Sequence, residues 1–335
     1  MRIATMNGTA IRLGVLGCAD IALRRVLPAV ARLADVALTA VASRIPAKAV
    51  AVADDFGCSA VTGYGQLLER DDVDAVYIPL PIALHEEWVE AALRAGKHVL
   101  AEKPMATSRR RTEELLALAR AGGLALMENV MFVHHSQHNA VRRLVEEGAI
   151  GEPRLFEASF LIPRLADGGI RFRPELGGGA LRELGIYPVR AALYHLGALE
   201  VVAAVRTPAT GELDMGGVAM LRAHPDVSVQ LSYGIDHSYR NCYQIVGSDG
   251  RISLERAFTP AADHPPLLRV ANRTGSEELR VLTPDDQVTN LLRAFVAAVR
   301  AGAPPMSMEQ VVQQAGLLDE LSSRVRPSAA GEGTT

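Results

Sequence analysis

Only three lysines, Lys48, Lys97 and Lys103, occur in this 335-residue chain. Lys103 stands in Glu102-Lys103-Pro104, directly after the apolar run His98–Ala101. Open α/β sheets place ligands at the carboxyl ends of their strands, so an ammonium at this point can bind a substrate oxygen and stabilise a developing alkoxide. A surface ion pair between Glu102 and Lys103 is the plainer alternative. Lys97 reads as an ordinary cation at a helix C-terminus.

Gly17-Cys18-Ala19-Asp20-Ile21-Ala22 follows the apolar run Leu13–Leu16 and opens an amphipathic segment. Read as G-x-G-x-x-G/A, it supplies Gly17, Ala19 and Ala22, a turn that lays a dinucleotide pyrophosphate against helix N-terminal amides. Ala19 departs from the pattern, because a methyl group there narrows the approach to the phosphates. The next apolar run ends at Ala42-Ser43-Arg44, where an acid would bind the ribose hydroxyls of NAD. No acid is present. A hydroxyl and a guanidinium fork suit a 2'-phosphate instead, so Ser43 and Arg44, with Lys48 behind them, predict NADP(H).

His85 begins a helical pattern and reads equally as a cofactor or substrate contact and as a helix cap. His134 and His138 would share a helix face as zinc ligands can. No neighbouring carboxylate or cysteine completes a site, so the cluster with His135 is expected to pack and not to bind metal. Arg164, Arg171, Arg173 and Arg182, close to Gly177-Gly178-Gly179, are candidates for a diphosphate. The three cysteines, Cys18, Cys58 and Cys242, form no CxxC and support neither a disulfide framework nor a cysteine zinc site.

The elements that must position these residues fall into two grammars. From Ile11 to Glu128, short apolar runs (Leu13–Leu16, Leu38–Ala42, Ala75–Ile78, His98–Ala101, Leu124–Met127) alternate with helical patterns (Ile21–Leu33, Ala47–Phe56, His85–Ala95, Arg109–Ala121). That is the pattern of a doubly wound parallel sheet with crossover helices. After about Gly151, longer alternating stretches (Arg154–Leu161, Val201–Thr207, Gly217–Arg222, Val227–Gly234, Tyr243–Val246) and one helix, Ala180–Leu196, predict an α+β domain with a large, mostly antiparallel open sheet. The expected organisation is an extension at 1–10, a dinucleotide-binding domain at 11–130 and a substrate and oligomerisation domain at 131–286. Helices Gln287–Ala301 and Ser307–Val325, within 287–326, are expected to return to the first domain, and 327–335 to form a disordered tail.

Composition bounds the class. With 49% hydrophobic and 22% charged residues the chain is globular. Thirty-five basic against 38 acidic residues, net −3, give no basic field for nucleic acid. The opening residues carry no signal-peptide core, and no uncharged stretch reaches the ~18 residues of a membrane span. A cytoplasmic enzyme without membrane or nucleic-acid partners is expected.

Together the glycine turn, the run Ala95-Gly96-Lys97-His98-Val99 through Glu102-Lys103-Pro104, and Gly177-Gly178-Gly179-Ala180-Leu181 through Gly185-Ile186-Tyr187-Pro188 resemble the Gfo/Idh/MocA oxidoreductases over residues 11–325. The resemblance implies a Rossmann domain followed by an α+β domain whose sheet mediates a homodimer or homotetramer. It implies further that Lys103 and Tyr187 are catalytic and face the nicotinamide. Many sugar dehydrogenases of the family carry histidine where this chain has Tyr187. Cofactor contacts are implied for Gly17 to Ile21, Ser43, Arg44, Lys48, Pro79, Leu80, His85, Glu102 and Lys103. Substrate contacts are implied for Lys103, Arg171, Glu183 and Tyr187, with Glu183 standing where aspartate is commoner.

The runs Cys18–Ala22, Pro79-Leu80-Pro81, Met131–His138 and Gly185–Pro188 resemble, more narrowly, the sugar 3-ketoreductases of deoxysugar biosynthesis. Those enzymes reduce the C3 carbonyl of a dTDP-linked 3,4-diketo-2,6-dideoxyhexose with NADPH. In that reading Tyr187 donates the proton and Lys103 hydrogen-bonds the carbonyl, or the two exchange roles. The rivals are an NADP-dependent dehydrogenase of a free sugar or trans-dihydrodiol, and a non-catalytic NADP-binding sensor.

Overall fold

The computed structural model describes residues 9–164, 169–207, 213–224, 226–303 and 308–324. Residues 1–8 of the expected extension, both ends of the helix expected at 307–325, and the whole tail lie outside them. The chain divides into two compact units, one of Met1–Val130 with Val288–Val311, the other of Met131–Gln287 with Val312–Thr335.

In the first unit the strands are β1 (Ile11–Leu16), β2 (Val36–Ser43), β3 (Ser59–Thr62), β4 (Ala75–Ile78), β5 (His98–Glu102) and β6 (Leu126–Asn129). They form one sheet in the order β3-β2-β1-β4-β5-β6, and every pairing is parallel. Every residue of β4 is buried, as expected of a strand covered on both faces. The crossovers are a π-wound turn, Ala22–Val26, continuing as α1 (Leu27–Val30), then α2 (Pro46–Phe56), α3 (Tyr64–Leu68), α4 (His85–Arg94) and α5 (Arg109–Gly122). Pro46 sits in the first turn of α2, and Gly57, in the left-handed region, ends it. Ser108 caps α5 by accepting from the Arg111 amide. Because the strand order reverses between β1 and β4, the carboxyl ends of these strands frame the crevice where such sheets bind ligands.

The second unit contains α6 (Ser136–Glu146), β7 (Pro153–Ile162), a π-wound turn (Leu181–Gly185) leading into α7 (Ile186–Leu196), and β8 (Leu199–Thr207). Then follow β9 (Gly216–Ala223), β10 (Val227–Ile235), β11 (Arg240–Gly247), β12 (Gly250–Glu255), β13 (Leu267–Asn272) and β14 (Glu277–Val281). The eight strands run β14-β13-β12-β11-β7-β10-β9-β8, all antiparallel except for the β7–β10 pair. Leu221, Val229, Phe156, Ile245 and Ile252 stand side by side across five strands and are buried. Helix α7 packs on β7, β8 and β10. The opposite pleat stays open at β8 and β9, where Val205, Val218 and Met220 are 69%, 51% and 50% exposed.

Two helices close the described chain. In α8 (Gln287–Ala301), Val288, Leu291, Leu292, Phe295, Val296 and Val299 form a buried stripe, and Arg300 Nη2 reaches Asp35 Oδ1 at 2.5 Å. Helix α9 (Met308–Arg324) is shared between the units instead of returning whole to the first. Its second part is held by Arg190 Nε donating to Gln314 Oε1 (2.7 Å) and by Arg324 Nη1 donating to the Val202 carbonyl (3.1 Å).

Candidate functional site

The glycine turn is built on one residue with a positive φ. Gly17 has φ +116° and donates its amide to the Ala42 carbonyl (2.9 Å), which locks the end of β1 to the end of β2. A Cβ at this position would lie 2.9 Å from Leu80 Cδ2 and 3.5 Å from the Pro79 carbonyl oxygen. Lacking a side chain, Gly17 closes the turn tightly against Pro79 and Leu80, which is the part the first glycine of such a dinucleotide-binding turn plays. Asp20 and Ile21 begin the helical winding, and Asp20 forms an exposed ion pair with Arg24 at 3.2 Å.

At the end of β2, Ser43 is buried and its Oγ accepts from the Ile45 amide (3.1 Å), which turns the chain outward and leaves Arg44 exposed. Cys18 joins this group, with its Sγ 3.7 Å from the Lys48 carbonyl and in hydrogen-bond contact with Ser43. Burial pushes the thiol up from its ordinary value. The structure therefore gathers Gly17, Cys18, Ser43 and Lys48 into one corner of the first unit, with Arg44 next to them.

A second gathering lies at the ends of β4, β5 and β6. The Glu102 carboxylate is buried, and its Oε1 accepts from Tyr77 Oη (2.6 Å) and Asn129 Nδ2 (2.5 Å). The next residues, Lys103 and Pro104, are joined by a cis peptide. Side chains pin this loop at alternate backbone groups. The Met105 amide donates to Glu128 Oε1 (2.8 Å), and the Thr107 amide donates to Glu86 Oε1 (2.6 Å).

His85 lies inside the first unit, beside this loop. It is 1% exposed, with Nδ1 at 2.7 Å from the Pro104 carbonyl oxygen and Nε2 at 2.7 Å from the Leu80 carbonyl oxygen. Both ring nitrogens thus face main-chain carbonyl oxygens. His85 does not cap α4, since the helix starts with His85 itself and Leu84 precedes it as the cap residue.

In the second unit, glycines seat the turn that leads into α7. A Cβ on Gly178 would lie 2.6 Å from the Arg171 carbonyl oxygen, and one on Gly179 (φ +125°) would lie 2.2 Å from Asp214 Oδ1. Asp214 Oδ2 accepts from the Leu181 amide (2.7 Å) and its carbonyl from the Ala180 amide (2.9 Å). Burial raises the Asp214 carboxyl above the usual range. Glu183 is buried in the π-wound turn, with Oε2 3.6 Å from Arg171 Nε. One turn on, the half-buried ring of Tyr187 lies among Phe132, Phe160 and Phe258, with centroids 6.0, 5.0 and 5.8 Å away.

Residues 11–130 match the Gfo/Idh/MocA oxidoreductase family with its NAD-binding Rossmann fold, and residues 138–253 match the Gfo/Idh/MocA C-terminal domain. The chain belongs to the Gfo/Idh/MocA family. Among its relatives, the dTDP-3,4-didehydro-2,6-dideoxy-alpha-D-glucose 3-reductase of Actinomadura kijaniata is 47% identical over 96% of this chain and 97% of its own. The reductase of the same name from Streptomyces violaceoruber is 49% identical over 92% of this chain and 94% of its own. A solved 3-ketoreductase from Actinomadura kijaniata, in complex with NADP and TDP-benzene, superposes with a TM-score of 0.92 at 47% identity. It covers 95% of this chain and 98% of that one.

For a Gfo/Idh/MocA chain, the sequence left out several residues that hold the two gatherings together. Tyr77, Glu128, Asn129 and Asp214 each bind a candidate site residue or the backbone beside it. The available signal was a polar side chain closing an apolar strand, as in Ala75-Val-Tyr77-Ile and Leu126-Met-Glu128-Asn129. The four candidate arginines make separate contacts. Arg164 pairs with Asp236 (3.3 Å), Arg171 with Glu183 and Arg173 with Glu175 (2.7 Å), while Arg182 lies half-buried in the π-wound turn.

The histidines near α6 form a buried hydrogen-bonded chain in this family member. His138 Nδ1 and His195 Nε2 each lie 3.0 Å from Tyr243 Oη, and His135 Nδ1 accepts from the Gln137 amide (3.1 Å) at the start of α6. Burial depresses all of them. His134 is pushed down to about 4, helped by the Arg190 charge, and His195 to about 3, while His138 falls well below its ordinary value. Lys97 donates to the Arg70 and Val73 carbonyls (2.7 and 2.8 Å), fastening the turn before β4.

Proposed function

We propose that this chain reduces the C3 carbonyl of a dTDP-linked 3,4-diketo-2,6-dideoxyhexose with NADPH, in deoxysugar biosynthesis. The observation that carries this reading is near-full-length identity of 45–49% with four reductases of that name. NADP fits the end of β2, where Ser43 and Arg44 stand with no carboxylate. When bound, NADPH supplies a hydride from its C4 position, so that a C–H bond forms at sugar C3 and NADP⁺ is left.

The chain's own residues handle the oxygen. Lys103 donates a hydrogen bond to the C3 carbonyl and stabilises the negative charge that develops there. Tyr187 gives its phenolic proton to that oxygen and recovers one from solvent. Solved forms of the Actinomadura kijaniata enzyme carry a substituted tyrosine or a substituted lysine, both with NADP and TDP-benzene, which supports giving these two residue types the central roles. Arg171 and Glu183 belong to the substrate side.

Two further parts of the reading concern setting. The exposed Val205, Val218 and Met220 lie adjacent, with Val205 opposite Val218 in the register, and form an apolar strip on the open face of the second sheet. A second copy of this chain covering that strip makes a homo-oligomer. All three cysteines are free thiols, which suits a reducing cytoplasm, and no helix among the described residues is long and apolar enough to cross a membrane.

The test is a thermal melt of NADPH-saturated protein with and without dTDP, followed by turnover of the diketo sugar. A ligand at about 100 times its dissociation constant adds about 2.7 kcal/mol to native-state stability. A clear upward shift with dTDP is expected. No shift, with turnover of a free sugar or dihydrodiol instead, would overturn the nucleotide-sugar assignment.

A further inference from the structure

We propose that His85 is a positioning residue for the reduction, tying the turn after β4 to the turn after β5 so that the Lys103 main chain is held at the strand ends. The inference rests on the reading of Lys103 given above. It starts from a geometric problem. β4 and β5 pair in register, Ile78 opposite Ala101, but beyond the pairing each chain leaves in its own turn, and carbonyls there have lost their ladder donors. Leu80 and Pro104 present two such carbonyls.

The imidazole of His85 lies between them, with one nitrogen on each at 2.7 Å. No other side chain has ring donors on opposite edges at this span. A glutamine carries both of its hydrogens on one nitrogen, so it cannot set a donor against each of two carbonyls on opposite edges and keeps only one of these contacts. Because carbonyl oxygens only accept, a ring with one N–H serves one turn at a time and a ring with two serves both.

The neighbouring contacts give the tie a direction. Glu86, the next residue of α4, accepts from the amide and the hydroxyl of Thr107, and Glu128 accepts from the amide of Met105. His85 holds the carbonyl of Pro104, the residue next to Lys103, while the Lys103 amide itself donates to Glu102 Oε2 (3.4 Å). The loop 103–107 is therefore fastened at Pro104, Met105 and Thr107 by His85, Glu128 and Glu86, and His85 also grips the turn that faces Gly17. Leu80, whose carbonyl His85 holds, is the residue a Cβ on Gly17 would strike. One ring thus links the phosphate turn to the lysine loop.

The experiment uses the full chain with NADPH. His85→Ala is expected to lower kcat by about 100-fold, the scale of a 1 Å misplacement, while NADPH affinity changes little. Added imidazole should restore turnover, whereas 1-methylimidazole, blocked at one nitrogen, should not. Hydrogen exchange read without substrate should show faster exchange at the Met105 and Thr107 amides and unchanged exchange across β5. If His85→Ala does not fold, His85→Gln, which keeps one contact, should give an intermediate loss of kcat with the same local exchange pattern. Loss of NADPH affinity with kcat preserved would make His85 a cofactor contact and overturn the proposal. So would exchange that rises across the whole unit. Failure of the wild-type protein to reduce the dTDP sugar would overturn the proposed function and leave the exchange result to judge His85 alone.

Discussion

Arg171 Nε stands 3.6 Å from Glu183 Oε2, with the arginine side chain 40% exposed and the carboxylate 9% exposed. The pair fastens the segment before the glycine run to the first turn of the helix that carries Tyr187. A carboxylate this buried loses more when its cation is removed than the pair gains by existing. Arg171→Ala should therefore destabilise by more than the double variant Arg171→Ala/Glu183→Gln, with a coupling of about 1 kcal/mol because the arginine is partly solvated. Urea melts of the four proteins in the cycle check this. Equal stability of the single and double variants would remove the pair from the fold's support.

Lys103→Met and Tyr187→Phe should each lower kcat by about 10²- to 10⁴-fold, the range for a lost general acid or oxyanion partner. NADPH affinity should move little, because the Gly17, Ser43 and Arg44 corner is left unaltered. Single-turnover NADPH oxidation, monitored by absorbance, separates binding from chemistry. Retained turnover in both variants would sink the assignment.

Arg44→Ala should weaken NADPH by about 1.5–3 kcal/mol, the value of a hydrogen bond to a charged group, and leave NADH affinity nearly unchanged. Ser43 is the poorer target, because its Oγ also supports the Ile45 amide and its loss would disturb the turn. Fluorescence titration with both nucleotides gives the ratio directly.

Acid should weaken the second unit well before carboxylates titrate. His134 and His195 are depressed to about 4 and about 3 in the folded chain, against about 6.5 when unfolded. Between those values the unfolded chain binds protons that the folded chain refuses, so stability is complete above about pH 6.5 and falls as the pH drops toward 4 and 3. Each such histidine contributes up to about 1.4 kcal/mol per pH unit in its window. His138, also depressed, acts in the same direction. Denaturant melts from pH 7.5 to 4.5 measure the slope, and a flat profile would contradict the burial of these rings.

Strands of the first unit were readable because burial on both faces makes them continuous apolar runs, as in Ala75–Ile78 and Val99–Ala101. The edge strand β14 is not legible in the sequence because Glu277–Val281 lies almost wholly in solvent and shows no alternation of burial. Ala180–Leu196 is visibly a helix, yet its periodicity does not reveal that Leu181–Gly185 is wound as π-helix. The glycine turn and the Glu-Lys-Pro run are local in sequence and stood out. Tyr77, Asn129 and His85 act across turns that meet only in the folded sheet. His138 shows the reverse case: its ring is hydrogen-bonded to Tyr243, far along the chain, a partner that local spacing does not reveal.

The first unit is discontinuous, since Val288–Val311 completes what Met1–Val130 begins. On the ribosome, the six parallel strands emerge long before α8, whose Leu291, Leu292, Phe295, Val296 and Val299 are buried in the finished chain and belong to the same unit. The nucleotide-binding half thus waits with uncovered apolar surface while more than 150 residues of the other unit are synthesised and folded. Such surface invites chaperones in the meantime. A nascent chain stalled before Gln287 carries every residue of the Gly17 and Lys103 corners yet lacks the helix that completes their unit.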